Sequence, residues 1–228
     1  MTNVGELNSE AEPGTILVCF AVKEEAKFFP KLALAHARIE TLVTGMGAEN
    51  ASLAIRAALE TFSPTLVLTC GFAGGLNPKL PAGAIVFSED PEVGLARHLV
   101  ELSAALATFH CARRVAVTCT EKKQLWESTR ADAVEMESGV IREICRAKQI
   151  SSATIRVISD SASEDLPLDF NALMSADYEI NFAKLLLRVA SAPWKIPALL
   201  AFQRQTTAAA RNLGEILDKL LRAKFDHR

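Results

Sequence analysis

The sequence lacks the features by which several classes of protein are recognised. Its 228 residues carry a formal net charge of −2, and no basic run interleaved with aromatic residues occurs, so nothing favours a nucleic acid as partner. The start, MTNVGELNSEAEPG, is polar and acidic, which is typical of neither a signal peptide nor a transmembrane span. We therefore expect a cytoplasmic protein without an integral membrane segment.

Disulfide and metal-ligand patterns are lacking as well. Five cysteines occur without CxxC spacing, and the interpretation is reduced thiols in the core of a cytoplasmic protein. His98, His110 and His227 have no partners at metal-ligand spacing, and the acidic stretch DSASEDLPLD fits no calcium-binding loop. No metal and no other cofactor is expected.

Half of the residues are apolar, which is enough for one domain with a substantial core. Helical patterns cover 48–62, 96–109 and 133–149. Runs rich in β-branched residues, most of them without alternation, predict strands buried on both faces of a mainly parallel sheet: 15–22, 39–45, 65–71, 83–89, 113–119 and 153–160. The alternation of strands and helices predicts a single-domain α/β fold of three layers, a central mainly parallel or mixed sheet flanked by helices.

The domain is predicted to span 15–228 after a frayed tail at 1–14, and its part 170–228 is helical in pattern. No internal repeat interrupts it. The last segment, IPALLAFQRQTTAAARNLGEILDKLL, is amphipathic. We expect it to pack on the domain or on a partner subunit, and to shape the substrate pocket or a dimer contact; a membrane-surface or lipid-substrate role is the less favoured alternative.

Glycines and carboxylates follow four of the predicted strands. KEE (23–25) follows the first, TGMG (44–47) the second and GFAGG (71–75) the third, and the last strand ends in Ser159-Asp160. Ligands of open parallel sheets bind outside the carboxyl ends of the strands, and glycine lets backbone N–H groups approach a ligand. The sequence therefore predicts a pocket at this edge of the sheet.

The segments AVKEEA, TGMGAENA, CGFAGGL, AVEMES and RVISDSA occur in this order and cover nearly the whole chain after the tail. They resemble the purine nucleoside phosphorylase and nucleosidase superfamily; the last two together are the specific part. Two branches are similar, the methylthioadenosine/S-adenosylhomocysteine nucleosidases and the hopanoid-associated phosphorylases. The resemblance implies a nucleoside phosphorylase-like fold, a homodimer or higher homo-oligomer, and cleavage of the N-ribosidic bond of a purine nucleoside, with adenine favoured.

The resemblance also implies roles for single residues. Asp160 matches the acid that protonates purine N7, Glu137 the carboxylate that binds the ribose hydroxyls, and Glu25 the base that activates water. For Glu135, a solvated first turn of a helix remains the interpretation. Residues expected to bind the substrate are Met136, Ser159, Phe72, Ala73, Gly74 and Gly47.

Two questions stay open at this point. The loops after the first and third strands contain Lys23 but no arginine to hold phosphate, which favours water as nucleophile; the alternative is phosphorolysis with phosphate as co-substrate, for instance of a lipid-linked adenosyl substrate. Lys123 stands at the place of the family's base-stacking aromatic residue, and the nearby Trp126 is expected to be a packing anchor. A nucleoside-binding module without efficient chemistry is the rival interpretation.

Overall fold

The computed structural model of the protein describes residues 14–173 and 190–226. Its central sheet is built around strands whose side chains are buried on both faces. In β1 (Gly14–Phe20), Ile16 and Val18 belong to one core cluster and Leu17 and Cys19 to another. Because successive side chains of a strand point to opposite faces, a strand with this pattern needs a packed layer on each side.

The other strands in the described part of the chain are β2 (Ala37–Val43), β3 (Pro64–Gly75), β4 (Ile85–Glu89), β5 (Ala105–Leu106), β6 (Phe109–Cys111), β7 (Ala133–Glu135) and β8 (Ser151–Asp160). Their order is β2-β1-β3-β8-β4-β5. The neighbours pair in parallel except for β4 with β8, and β7 joins the end of β3 antiparallel and β6 in parallel. The sheet is therefore mixed, with a parallel centre.

The helices in the described part are α1 (Lys23–Ala26), α2 (Ala48–Thr61), α3 (Ala96–Glu101), α4 (Cys119–Thr129), α5 (Ser138–Ala147), α6 (Phe170–Leu173) and α7 (Ile196–Phe225), with a 3-10 helix at Pro193–Lys195. Helices α3 and α7 pack on one face of the sheet, and α2 and α5 on the other. The predicted three-layer α/β fold is confirmed.

Three predicted elements differ from the structure. Residues 113–118 form a loop instead of a strand, because Thr118 and Glu121 form a capping box that starts α4. The helix predicted at 96–109 ends at Glu101 and is followed by two short strands. The helix predicted at 133–149 begins only at Ser138.

The residues ahead of α5 form a strand because tertiary pairing outweighs their helical pattern. Ala133 and Val134 pair with the two glycines that end β3. Those glycines also correct the prediction that GFAGG follows the third strand, since it forms the last part of β3. The long β3 thereby carries its backbone into the region where β1 and β8 end.

The C-terminal helix α7 divides into two parts. Its second half is buried in the larger core cluster through Ala209, Leu213, Ile216, Leu217, Leu220 and Leu221. Near its start, Ile196 and Leu200 are exposed, as is Trp194 just before it. Packing on the domain's own sheet therefore accounts for the second half of the predicted apolar stripe.

Some predictions fall on residues that are not described. The predicted tail lies outside the described residues except for Gly14, which begins β1. Of the predicted helical part, residues 174–189 and 227–228 also lie outside them. Within the described ranges, no helix has the length and apolar character needed to cross a membrane. Cys19, Cys70 and Cys145 are buried free thiols, whereas Cys111 is exposed.

Candidate active site

A cleft of about 400 Å³ lies where β1, β3 and β8 end. The segment after β1, the last residues of β3, the segment between β7 and α5, and the end of β8 all contribute to its lining. Eight of the nine residues predicted for the site line this cleft: Glu25, Phe72, Ala73, Gly74, Met136, Glu137, Ser159 and Asp160. Gly47 is the ninth, and its N–H donates to Glu137 Oε1 at 2.8 Å.

Glu25 is buried and its carboxylate is fixed by backbone donors. The N–H groups of Ala21 and Val22 donate to Oε2 at 2.8 and 3.2 Å, and the N–H of Phe72 donates to Oε1 at 2.7 Å. Burial raises the pKa of Glu25, against the opposing effects of the Arg156 guanidinium and these donors. A carboxylate with a raised pKa is a better general base than an exposed one.

Arg156 pairs with Glu135 and Glu137 beneath the cleft and interacts electrostatically with Glu25, and we call these four residues the carboxylate cluster. Arg156 Nη2 lies 2.6 Å from Glu135 Oε2 and 3.6 Å from Glu137 Oε2, and Nη1 donates to the Cys70 carbonyl at 3.1 Å. Within the part of the chain that is described, Arg156 Nε is buried without a hydrogen-bond partner. One guanidinium is thus paired with two carboxylates and acts electrostatically on the third.

The solvated position expected for Glu135 is wrong. Glu135 is buried at the end of β7, and its carboxylate accepts hydrogen bonds from the N–H groups of Glu137 and Ser138 and from Ser138 Oγ. Burial alone would raise the pKa of Glu135, but Arg156 and these donors outweigh it and hold the pKa low. Glu135 is therefore the ionised partner of Arg156 and orients the segment that carries Glu137.

Glu137 has the opposite electrostatic environment. Burial raises its pKa to about 7; Arg156 opposes this shift, while the charges of Glu135 and Glu25 add to it. Two neighbouring carboxylates of a cluster cannot both keep an ordinary pKa when one arginine is shared. A positive charge that develops in the cleft would favour the ionised form of Glu137 and would be stabilised by it.

Gly71 explains why glycine is required at the start of the GFAGG segment. Its φ of +149° is one that other residues rarely adopt, and a Cβ here would come within 2.5 Å of both Arg156 Nη1 and Glu25 Oε1. The glycine therefore leaves room for the carboxylate cluster beside the β3 backbone.

At the other end of the cleft, Asp160 terminates β8. Its Oδ1 accepts a hydrogen bond from Ser159 Oγ at 2.5 Å, and its Oδ2 lies 2.5 Å from the Nζ of Lys122. Ser159 Oγ also lies 3.3 Å from the Ala73 carbonyl of β3. We call Asp160 and Lys122 the lysine–aspartate pair.

Two charged residues that contact the predicted carboxylates were missed from the sequence. Arg156 interrupts the apolar run ATIRVISD, and a charge inside a strand with two buried faces signals a buried partner. Lys122 gave no such signal, because its neighbours in CTEKKQ are polar.

The structure also changes the account of base stacking. Lys123 is exposed next to Glu127 on α4 and does not line the cleft, and Trp126 packs with a small apolar cluster as expected. Arg114 and Val115 of the loop before α4 line the cleft on this side instead. A planar guanidinium can stack on an aromatic ring. Arg114, and not Lys123, is therefore the residue on this side that is placed to contact a base.

An apolar wall completes the cleft. Leu166, Phe170 of α6 and Phe202 of α7 line it, and the two phenylalanine rings lie 5.8 Å apart between centroids. The first half of α7 therefore contributes to the pocket, whereas its second half packs in the core.

Comparisons with known proteins identify the family of the chain. The phosphorylase superfamily model matches residues 33–101 and 105–191. A 5′-methylthioadenosine/S-adenosylhomocysteine nucleosidase of Shewanella sp. (strain W3-18-1) is 27% identical over 179 residues, which cover 63% of this chain and 78% of that protein. The corresponding nucleosidase of Shewanella loihica is 27% identical over 171 residues, 59% of this chain and 74% of the relative.

Solved structures show the same fold at low identity. Futalosine hydrolase of Helicobacter pylori superimposes with a TM-score of 0.67 at 15% identity, covering 92% of this chain and 98% of that one. S-adenosylhomocysteine nucleosidase from Streptococcus pyogenes gives 0.69 at 13% identity, covering 94% and 99%. The family match and the nucleosidase relatives identify the protein as an enzyme of the class that cleaves N-glycosidic bonds, as predicted. The chain belongs to the phosphorylase superfamily.

Proposed function

We propose that the protein is a nucleosidase that hydrolyses the N-ribosidic bond of a purine nucleoside, with adenine as the favoured base and an apolar group at the 5′ position. The observation that carries the proposal is that Asp160, Glu137 and Glu25 line one cleft. The last residues of β3 run between them: Phe72 contacts Glu25 at one end, and Gly74 pairs with Asp160 at the other.

Departure of the base requires an acid, because a purine anion is a poor leaving group. Asp160 delivers a proton to N7, the electron pair of the C1′–N9 bond moves into the purine, and positive charge develops on the ribosyl ring. Ser159 Oγ holds one oxygen of the Asp160 carboxyl group. The acid is thereby aimed before the substrate arrives.

Stabilisation of the ribosyl cation falls to Glu137. Its carboxylate is fixed by the Gly47 N–H at 2.8 Å, and it accepts hydrogen bonds from the ribose hydroxyls while the ring becomes positive. Met136, which also lines the cleft and is buried, packs against the sugar. A negative group beside the atoms that become positive in the transition state increases the rate. A group that binds substrate and transition state equally well does not increase kcat.

Water is the nucleophile in this proposal, and Glu25 takes its proton. Three glutamates surround a single guanidinium in the carboxylate cluster, so a phosphate dianion beside Glu25 would meet more carboxyl groups than cations. Arg156 is the cation in contact with the cluster among the described residues, and it is already paired with Glu135 and Glu137. Leaving an anion without a counter-charge is costly in a buried site.

The apolar wall of Leu166, Phe170 and Phe202 supports an apolar 5′ group. The relatives named 5′-methylthioadenosine/S-adenosylhomocysteine nucleosidases support an adenine nucleoside with a thioether there. Apolar pockets discriminate poorly by size alone, so longer alkyl substituents belong in the same test.

The test is base release from a panel of nucleosides, followed by chromatography. The panel contains adenosine, 5′-methylthioadenosine, a 5′-alkylthio adenosine with a long chain, and inosine. We expect release of adenine, fastest from substrates with an apolar 5′ group. Absence of base release from every member, with bound nucleoside detected by calorimetry, would instead support a binding module without chemistry.

A further inference from the structure

Helix α4 carries a lysine where a helix least favours one. Of its eleven residues, Cys119–Thr129, all within the described part of the chain, Lys122 alone is buried, with a relative exposure of 0%. Thr118 is the N-cap, so Lys122 lies in the first turn, where the helix dipole opposes a positive charge. Helix formation therefore gives no reason for a lysine here.

The ammonium group of Lys122 has three acceptors for its three protons. Nζ donates to the carbonyl oxygens of Ser161 at 2.8 Å and Glu164 at 2.6 Å, and it lies 2.5 Å from Asp160 Oδ2. A buried ammonium is costly unless it is paired and fully hydrogen-bonded, and an apolar side chain in its place is often no less stable. The pairing with Asp160 is thus the property that a lysine supplies and an apolar residue cannot.

The segment that holds this ammonium is tied down in turn. The Gln205 amide of α7 donates to the Ser159 carbonyl at 2.7 Å, and the Ser161 N–H donates to the Glu164 carboxylate at 2.7 Å. The position of Nζ relative to Asp160 is therefore fixed by α4, by the end of β8 and by α7 together.

We propose that Lys122 is a positioning residue for the general acid: it fixes Asp160 Oδ2 and stabilises the carboxylate that remains once the proton has passed to the purine. This inference rests on the proposed function. In the step concerned, the O–H bond of Asp160 breaks, the N7–H bond forms, and the C1′–N9 electron pair enters the purine. The negative charge left on Asp160 then lies beside the ammonium, and Asp160 regains a proton from solvent after the base has departed.

Comparing substrates with different leaving groups distinguishes this positioning role of Lys122 from a purely structural role. A 4-nitrophenyl riboside departs as a stabilised anion and needs no proton, whereas adenine does. The nitrophenyl riboside would carry the same 5′ group as the best nucleoside. Its turnover therefore depends on binding and on the roles of Glu137 and Glu25, but not on proton donation by Asp160. We expect Lys122→Met to lower kcat for the adenine nucleoside by about a hundredfold or more, and to change turnover of the nitrophenyl riboside by less than about fivefold relative to the wild type.

Lys123→Met is the matched control, since this neighbouring lysine is exposed and we expect both substrates to be turned over as by the wild type. Lys122→Met leaves Asp160 buried without its partner and can impair folding. The double variant Lys122→Met/Asp160→Asn removes both charges and keeps the inference testable. Because Lys122 acts through Asp160, the double variant should be no slower on the adenine nucleoside than Asp160→Asn alone.

Equal losses on both substrates in folded Lys122→Met would overturn the inference, as would a further loss in the double variant beyond that of Asp160→Asn. Either result would make Lys122 a structural residue and leave the proposed function standing. Failure of the wild type to cleave either glycoside would instead remove the proposed function itself.

Discussion

The two ends of the cleft handle charge in opposite ways. In the carboxylate cluster, three buried glutamates share Arg156, and the pKa of Glu137 is raised to about 7. In the lysine–aspartate pair, one carboxylate faces one fully buried ammonium at 2.5 Å. One end holds three carboxyl groups and one cation, whereas the other end holds one carboxyl group and one cation.

This difference matches two demands of glycoside cleavage. A ribosyl cation is stabilised by uncompensated negative charge, which also repels a phosphate dianion. A proton donor instead gains from a nearby cation that stabilises the carboxylate left after its proton has been transferred. The two groups lie at opposite ends of one stretch of β3, from Phe72 to Gly74. Each can therefore be altered by substitution without changing the other.

Replacement of Asp160 should have the largest effect. Asp160→Asn fills the same space but cannot give a proton to N7, so we expect turnover of an adenine nucleoside to fall by about a hundred- to ten-thousand-fold. Asp90→Asn is the control, since Asp90 pairs with Arg142 at 2.6 Å and does not line the cleft. Near-normal turnover by folded Asp160→Asn would remove Asp160 from the mechanism.

Breaking the other end should cost mainly stability. Arg156→Met leaves Glu135 and Glu137 buried without their cation, and we expect the free energy of unfolding to fall by about 3–5 kcal/mol, measured by urea denaturation at neutral pH. Arg142→Met removes a partner from a pair whose side chains are both more exposed, so a smaller loss is expected. If the two variants lost equal stability, burial of the cluster would not be the cause.

The cluster should also make stability depend on pH. In the folded protein the pKa of Glu137 is about 7, against an ordinary value of 4.5, so the folded chain binds more protons than the unfolded one in this window. The free energy of unfolding therefore falls as pH rises from about 4.5 to about 7, by on the order of 2–3 kcal/mol from this group.

Neighbouring groups modify this slope. Glu25, whose pKa is also raised, adds to the fall, while Glu135, whose pKa is lowered, opposes it. Urea unfolding across this pH range should show a flatter profile for Glu137→Gln than for the wild type. An identical profile would mean that Glu137 titrates normally in the folded state.

The smallest effect concerns the apolar wall. Phe202→Ala enlarges the cleft on this side, and we expect the preference in kcat/KM for 5′-methylthioadenosine over adenosine to fall by about fivefold. Leu217→Ala, in the buried half of the same helix, should lower stability by about 2–5 kcal/mol without changing that preference. An unchanged preference in Phe202→Ala would assign the whole of α7 to structural support.

Strand and helix types were predictable where burial follows a local pattern. The apolar run of β1 predicted a strand with two buried faces, and the glycines and carboxylates after the strands predicted the edge at which the cleft lies. The loop at 113–118 resisted prediction, because a capping box overrides the β-branched residues before it.

Pairing partners could not be predicted from local pattern. Glu135 looks like a solvated residue until β7 pairs with β3 and buries it beside Arg156. Lys122 and Lys123 are identical neighbours in the sequence, yet one is buried against Asp160 and the other is exposed. Only the rotation of α4 relative to β8 distinguishes them, and that is a property of tertiary packing.

If the carboxylate cluster selects water over phosphate as the nucleophile, phosphorus NMR will show it in the product. The enzyme would be incubated with 5′-methylthioadenosine in buffer containing phosphate, while adenine release is followed in parallel. We expect adenine to form at the same rate with and without phosphate, and no new phosphorus signal to appear. A sugar 1-phosphate signal that grows in step with adenine would contradict it.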